Sequence, residues 1–410
     1  MSDLVERILR DRAAVRAWNP ATTARPDDPA ADVDAIQRFR DLAAASRWSE
    51  AFALAAPRIA PERFAPAMRR IVLDATAAAG TDDAAVDALA RMAADDDGFM
   101  APALYLLACA SGGRTPATGL ATALRWANGL MWIMDAVEPE RLVAMLRPLM
   151  PLIGRWDMFA DLDAMLADAP ARRPGDGFLD EPHADVQLAM APGEDARRLL
   201  VCLGGQIGRM GMPVNLFHRW AAGADRHVLY LRGPIRGDYQ ACVPEFGPGY
   251  GRMAAFVRGL ADALAVERIG VYGNSLGGFP AACLGLAVGA HRIVVAAGTT
   301  RSVRARQALA DRASERRALT DDLARRIAAA PAGSTILCLH SAGNAGDRAD
   351  ADALAGLAGV RAIALAGATH NVSRPLARAG ALGPLLAWAA GARETVPPLP
   401  VGAPVPADAP

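Results

Sequence analysis

The chain has 410 residues, 44 basic and 44 acidic side chains, and 52% hydrophobic residues. This length predicts about two or three structural units with enough buried core to fold without disulfides or metals. Zero net charge argues against a dedicated nucleic-acid-binding protein, which needs a net basic face.

The cysteines and the N-terminus narrow the class of protein further. The five cysteines are scattered and lie mostly in apolar runs, which is typical of buried free thiols rather than of a disulfide or zinc framework. Residues 1–30 form a charged arm without an apolar signal core, and no apolar run reaches the roughly 18 to 20 residues that cross a membrane. We therefore expect a cytoplasmic protein without a membrane span.

Residues 31–175 predict an all-α domain. Apolar residues recur there at spacings of three and four, and Gly and Pro divide the segment into short helices. The segments 46–55 and 154–165 are similar to each other and loosely resemble tetratricopeptide-repeat helices, although the signature W-x2-L-G-x2-Y is absent. This resemblance implies that the helical domain, a bundle or repeat-like array, can bind a protein partner.

The pattern changes after residue 183 to strands that alternate with helices. The candidate strands are 185–190, 198–204, 227–233, 268–273, 292–298, 335–341 and 360–367. Several are continuous apolar runs, which are typical of a parallel sheet covered on both faces. We predict a doubly wound, mostly parallel α/β domain over 183–390, with a small helical cap at about 300–330 and a Pro-rich, disordered tail over 391–410.

One motif in this domain carries chemistry. The strand at 268–273 runs into Gly-Asn-Ser-Leu-Gly, with Ser275 at its centre, and a helix follows. This is G-x-S-x-G in the strand-turn-helix context in which a serine nucleophile is presented. Glycines on either side let the two arms of the sharp turn approach each other, and the helix N-terminus favours an anion that develops beside the serine.

With this motif, residues 185–390 resemble the α/β-hydrolase superfamily, in which the serine is followed along the chain by an acid and then a histidine. The resemblance implies that His370, in the loop after the last predicted strand, is the catalytic base. It places the acid in the loop after the strand 335–341. Many members have Asp at the position where this chain has Asn344. Asp347 is the next carboxylate along the loop, so we assign the acid to it and keep Asp350, which follows, as the alternative.

Acyl transfer also needs two backbone N–H groups that point at one oxygen. The resemblance implies that Leu276, directly after the serine, supplies one of them. The Gly-rich run after the strand 198–204 supplies the other, from Gly205 or Gln206. The long loop that begins at Arg232 is expected to border the site mouth, with Arg232 and Tyr239 as candidate substrate contacts, although an ordinary surface loop would have the same composition.

These residues lead to a primary hypothesis and two alternatives. The first is a serine hydrolase that acts on a small-molecule ester or related acyl substrate and needs no metal or organic cofactor. The second is an acyltransferase with the same three residues. The third is a non-catalytic interaction protein whose helical domain binds the partner.

Overall fold

The computed structural model describes residues 29–59, 66–95, 100–117, 122–123, 127, 139–153, 157–172, 178, 186–193, 195–205, 208–232, 246, 249–298, 312–330, 333–367 and 369–402. These residues belong to two compact units that divide at Ala167. No helix in the described ranges is both long and apolar enough to cross a membrane.

The first unit is helical, as the apolar spacing predicts. Its helices are α1 (Pro29–Ala44), α2 (Trp48–Ile59), α3 (Pro66–Ala78), α4 (Asp83–Asp95), α5 (Met100–Ser111), α6 (Pro139–Leu146), α7 (Met150–Ile153) and α8 (Asp157–Ala167). Phe52 packs against both Trp48 and Phe39, with ring centroids 5.7 Å and 6.2 Å apart. Asp82 begins α4 by accepting the Ala84 N–H, and the Trp48 indole N–H donates to its other carboxylate oxygen, which lowers the pKa of Asp82.

The second unit contains a seven-stranded sheet, and each of its strands overlaps a strand predicted from sequence. They are β1 (Val186–Ala189), β2 (Arg198–Leu203), β3 (Arg226–Leu231), β4 (Arg268–Asn274), β5 (Arg292–Ala296), β6 (Thr335–Ser341) and β7 (Val360–Leu365). The spatial order is β1-β3-β2-β4-β5-β6-β7. Only the β1–β3 pair is antiparallel among these strands, so the predicted mixed α/β architecture with a mostly parallel sheet is confirmed.

Helices cover both faces of this sheet, which explains why its central strands are apolar throughout. The helices are α9 (Val214–Ala221), α10 (Tyr250–Ala263), α11 (Gly278–Val288), α12 (Arg312–Ala329), α13 (Ala345–Ala355), α14 (Ser373–Arg378) and α15 (Leu382–Ala389). Buried residues of α10 to α13 form one core with alternate strand residues, while α9 and α15 pack together and α15 lies against β4 and β5.

The chain reverses its winding direction at β2. It passes from β2 through α9 to β3 on one side, and then crosses back through α10 to β4 on the other side of β2. Ligand sites of open α/β sheets lie at such a reversal, beyond the carboxyl ends of the strands. The register pairs Leu203 of β2 with Gly273 of β4, so the residues that follow these two strands are neighbours.

The cap predicted at about 300–330 is not what the structure has in its described part. Helix α12 is a crossover helix between β5 and β6, with Leu323 fully buried in the core and the Arg326 guanidinium 5.4 Å from the centre of the Tyr250 ring. Because the helix is rich in charged residues, its narrow buried face was not evident from the sequence. The rest of the predicted cap, residues 299–311, lies outside the described residues.

The predicted disordered tail also differs from the structure over 391–402. The Ala366 N–H, just after β7, donates to the Pro400 carbonyl at 2.8 Å, and Arg292 donates to the Glu394 carbonyl at 3.2 Å. A backbone N–H beside the edge strand β7 and the Arg292 side chain of β5 therefore supply hydrogen-bond partners that the Pro-rich sequence does not supply to itself. Residues 403–410 lie outside the described residues.

Candidate active site

Ser275 occupies a sharp turn between β4 and α11. Its φ is +53°, in the left-handed region that is costly for a residue with a side chain. The turn is tight because a Cβ on Gly273 would lie 2.2 Å from the Gly277 carbonyl oxygen, and one on Gly277 would lie 2.4 Å from the Gly204 oxygen. Both positions therefore require glycine, as the motif predicts, and the strain falls on the serine.

A chain of hydrogen bonds joins three of the residues that the sequence selects. The Ser275 hydroxyl is 2.7 Å from Nε2 of His370, and Nδ1 of His370 is 2.8 Å from Oδ1 of Asp347. A carboxylate only accepts hydrogen bonds, so Nδ1 carries the ring proton and donates it to Asp347. Nε2 is then free of a proton and accepts from the serine, which is the arrangement that activates a hydroxyl nucleophile.

The N-terminus of α13 positions the acid. Asn344 is the N-cap residue, and its Oδ1 accepts the backbone N–H of Asp347 at 3.0 Å. Asp347 thus stands in the first turn, where the helix dipole favours a negative charge. Its side chain is only 8% exposed, whereas that of His370 is 45% exposed, so the acid is enclosed and the base faces solvent. Asp350, the alternative acid, lies one turn further along α13 and is buried.

The predicted oxyanion donors have different surroundings. Leu276 lies in the short helical turn that precedes α11, where backbone N–H groups have no partner within the helix. Gly205 is adjacent to Ser275, since a Cβ placed on it would lie 3.3 Å from Cβ of Ser275. Its N–H, however, donates to the Arg209 carbonyl at 2.7 Å. Gly205 is therefore not an available donor in this structure, and Gln206 lies outside the described residues.

The two candidate substrate contacts do not gain support from the structure. Arg232 is 3% exposed, packs under Gly208 and donates to the Gln187 side chain at 3.0 Å. This buried position differs from the site mouth that we expected, because Arg232 directly follows β3 and folds back against β1. Tyr239 lies outside the described residues.

Two polar residues next to His370 were missed by the sequence analysis. Asn371 and Ser373 hydrogen bond to the segment that follows β2, through Gly211 and Met210. The signal was present, because Asn and Ser two residues apart are typical of side-chain-capped turns. What the sequence could not identify is the partner segment, which is about 160 residues away.

Further titratable groups of this unit are buried in strand β6 and in helix α11. Burial lowers the pKa of His340 on β6, against the opposite effect of Asp352 and Asp347, so its ring is held in the neutral form. Burial also raises the pKa of the Cys283 and Cys338 thiols to about 12, which makes them unreactive. The described residues contain no group of three or more His, Cys, Asp or Glu side chains that would hold a metal ion.

Comparisons with known proteins give no family. No protein-family model matches the sequence, and no curated protein matches it with significance.

Proposed function

We propose that the chain is a serine hydrolase of the α/β-hydrolase type that cleaves an ester or related acyl bond. The observation that carries the proposal is the Ser275–His370–Asp347 chain, with heavy-atom distances of 2.7 Å and 2.8 Å. Its members come from loops after three different strands, β4, β7 and β6. Their meeting at one point, beside the reversal of strand order, supports a catalytic role over a structural one.

The first half-reaction forms an acyl-enzyme. Ser275 Oγ attacks the substrate carbonyl carbon while its proton moves to Nε2 of His370, and the carbonyl oxygen becomes an anion. The imidazolium that results is stabilised by Asp347 through Nδ1. When the carbon–oxygen bond to the leaving group breaks, the leaving alkoxide takes the proton from Nε2 and departs as an alcohol.

The second half-reaction releases the acyl group to water. His370 removes a proton from the water molecule, the hydroxide attacks the acyl carbon, and the carboxylic acid departs as Ser275 recovers its proton. In both halves we assign the N–H of Leu276, directly after the serine, as one donor to the oxyanion. Gln206 remains our prediction for the second donor.

The two alternatives differ from hydrolysis in separate ways. An acyltransferase would use the same three residues and pass the acyl group to an alcohol or amine, and no described contact favours it. The non-catalytic interaction protein was favoured by the uncertain acid and by the large helical domain, and the 2.8 Å contact between Asp347 and His370 weakens the first of these two arguments. Whether the helical unit binds a protein partner is a separate question, and such a partner stays a prediction.

The test is covalent labelling of the folded, full-length protein with a fluorophosphonate probe. We expect the wild-type protein to form one covalent adduct on Ser275, and we expect Ser275→Ala to form none. Ser334→Ala is the control. Ser334 directly precedes β6, at the end of the sheet opposite Ser275, and its hydroxyl donates to the Ala290 carbonyl. A folded wild-type protein that refuses the probe, or one labelled at another residue, would refute the proposal.

A further inference from the structure

We propose that Asn371 and Ser373 are positioning residues for His370, which they hold by fastening its loop to the segment that follows β2. We call that segment, residues 208–212, the β2 loop. This inference rests on the proposed function, because it assigns to the two residues a role in the reaction of Ser275 and not only in folding.

The need for such positioning follows from the contacts of His370 itself. Its side chain is 45% exposed, and among the described residues its ring hydrogen bonds only to Asp347 and Ser275. Within the described part of the chain, no further buried side chain therefore fixes the ring by a polar contact. The place of the ring depends on where the backbone of its own loop is held.

Three hydrogen bonds hold that backbone. Asn371 donates from Nδ2 to the Gly211 carbonyl at 2.8 Å, and its Oδ1 accepts the Ser373 N–H at 3.1 Å. The Ser373 hydroxyl donates to the Met210 carbonyl at 2.9 Å. We call residues 369–373 the His370 loop. Two of these bonds join the His370 loop to the β2 loop, and the third lies within the turn that orients both side chains.

The two loops are also in close steric contact. Gly211 has φ +78°, and a Cβ there would lie 2.6 Å from Ser373 Oγ and 2.8 Å from Asn371 Oδ1. Ser373 is fully buried. A hydroxyl at such a position needs its hydrogen bond, because water cannot replace the carbonyl partner. The contact therefore requires Gly at 211 and a small polar residue at 373.

The same β2 loop reaches the nucleophile. The carbonyl of Arg209, the residue before Met210, accepts the Gly205 N–H at 2.7 Å, and Gly205 lies beside Ser275. The β2 loop is thus held by Gly205 on one side and by the His370 loop on the other. Asn371 and Ser373 consequently set the distance between His370 and Ser275. The connection runs through the β2 loop and Gly205 and not through the reacting atoms.

The experiment separates positioning from simple stabilisation. We would measure fluorophosphonate labelling of full-length Ser373→Ala and Asn371→Ala over a range of probe concentrations. This gives a maximal rate constant and a half-saturating concentration for each, corrected for the folded fraction from circular dichroism. A displaced base lowers the maximal rate constant about 10-fold or more and leaves the half-saturating concentration unchanged.

Ser334→Ala is the matched control. It deletes a hydroxyl-to-carbonyl hydrogen bond of 2.8 Å, comparable to the 2.9 Å bond of Ser373, at the other end of the sheet. We expect it to label at the wild-type rate. Folded Ser373→Ala and Asn371→Ala proteins that also label at the wild-type rate would overturn the positioning role while leaving the proposed function intact. A wild-type protein that does not label refutes the proposed function, and the positioning role with it.

Discussion

Replacing Asp347 by Asn tests the chemistry of the hydrogen-bonded chain most directly. The amide has nearly the same shape as the carboxylate, so the 2.8 Å contact with Nδ1 of His370 is retained sterically. It carries no charge, however, and its NH2 group can donate to Nδ1. That interaction favours the tautomer with the proton on Nε2, which cannot accept a proton from Ser275.

The size of the loss can be worked from the geometry. Two unit charges 2.8 Å apart attract by about 6 kcal/mol at an effective dielectric constant of about 20. In the proposed mechanism this attraction stabilises the imidazolium that forms as Ser275 attacks, and it would correspond to about four powers of ten in rate. Because the His370 side chain is 45% exposed, solvent screens part of the field, and we expect a loss of about a thousandfold.

The assay is the fluorophosphonate labelling rate of Asp347→Asn, with Asp350→Asn as the matched control. Asp350 is a second buried carboxylate on α13, 1% exposed, and was the alternative acid on sequence grounds. We expect Asp350→Asn to keep a rate within a few-fold of the wild type once the folded fraction is accounted for. If Asp347→Asn labels as fast as the wild type, or Asp350→Asn loses as much, our assignment of the acid is wrong.

The other predictions concern packing and pH. Gly277→Ala would place a Cβ 2.4 Å and 2.5 Å from the backbone oxygens of Gly204 and Leu203. We therefore expect thermal denaturation to show a loss of about 1–3 kcal/mol in the free energy of unfolding, together with slower labelling. An unchanged melting temperature would contradict the tight turn. His340 has a lowered pKa in the folded state, so the unfolded chain binds more protons and the free energy of unfolding falls as pH drops below about 6.5. Urea titrations of wild type and His340→Gln at several pH values check this, and the variant should show a weaker pH dependence; equal slopes would mean that His340 is not the group responsible.

The fold could be predicted from sequence because its signals are local. Several strands are short, continuous apolar runs, and the sharp turn at Ser275 requires glycine at 273 and 277 for steric reasons. The failures share a different cause. Helix α12 resembled a cap in sequence because it is rich in charged residues and its apolar face is narrow, with Leu323 buried and Leu319 and Ile327 partly buried against the core. Residues 391–402 form hydrogen bonds with Ala366 beside β7 and with Arg292 of β5, which are distant in sequence.

The residues of the candidate site likewise divide into those that local sequence signals identify and those that depend on the folded structure. His370 could be selected because the sequence has only six histidines and His370 lies in the loop after the last predicted strand, where the resemblance implies a catalytic base. The acid was ambiguous between Asp347 and Asp350, because only the start of α13 at Asn344 decides which carboxylate stands in the first turn. Gly205 could not be excluded as an oxyanion donor from sequence. Its N–H donates to the Arg209 carbonyl, and no sequence pattern indicates that hydrogen bond within the loop.

Backbone strain gives an independent reason to place function at this edge of the sheet. Among the described residues, four that are not glycine have positive φ: Ser46, Ala265, Ser275 and Ala297. Ser46 and Ala265 directly follow helices and close them with backbone hydrogen bonds, which is an ordinary use of the left-handed conformation. Ser275 and Ala297 instead follow the neighbouring strands β4 and β5 at their carboxyl ends, where no helix end requires it. Strain of about 1–3 kcal/mol at each such residue persists only where the surrounding structure enforces it, and it tends to cluster at functional sites. Its concentration beside the serine therefore favours catalysis over an inert turn, without reference to the identity of the side chains.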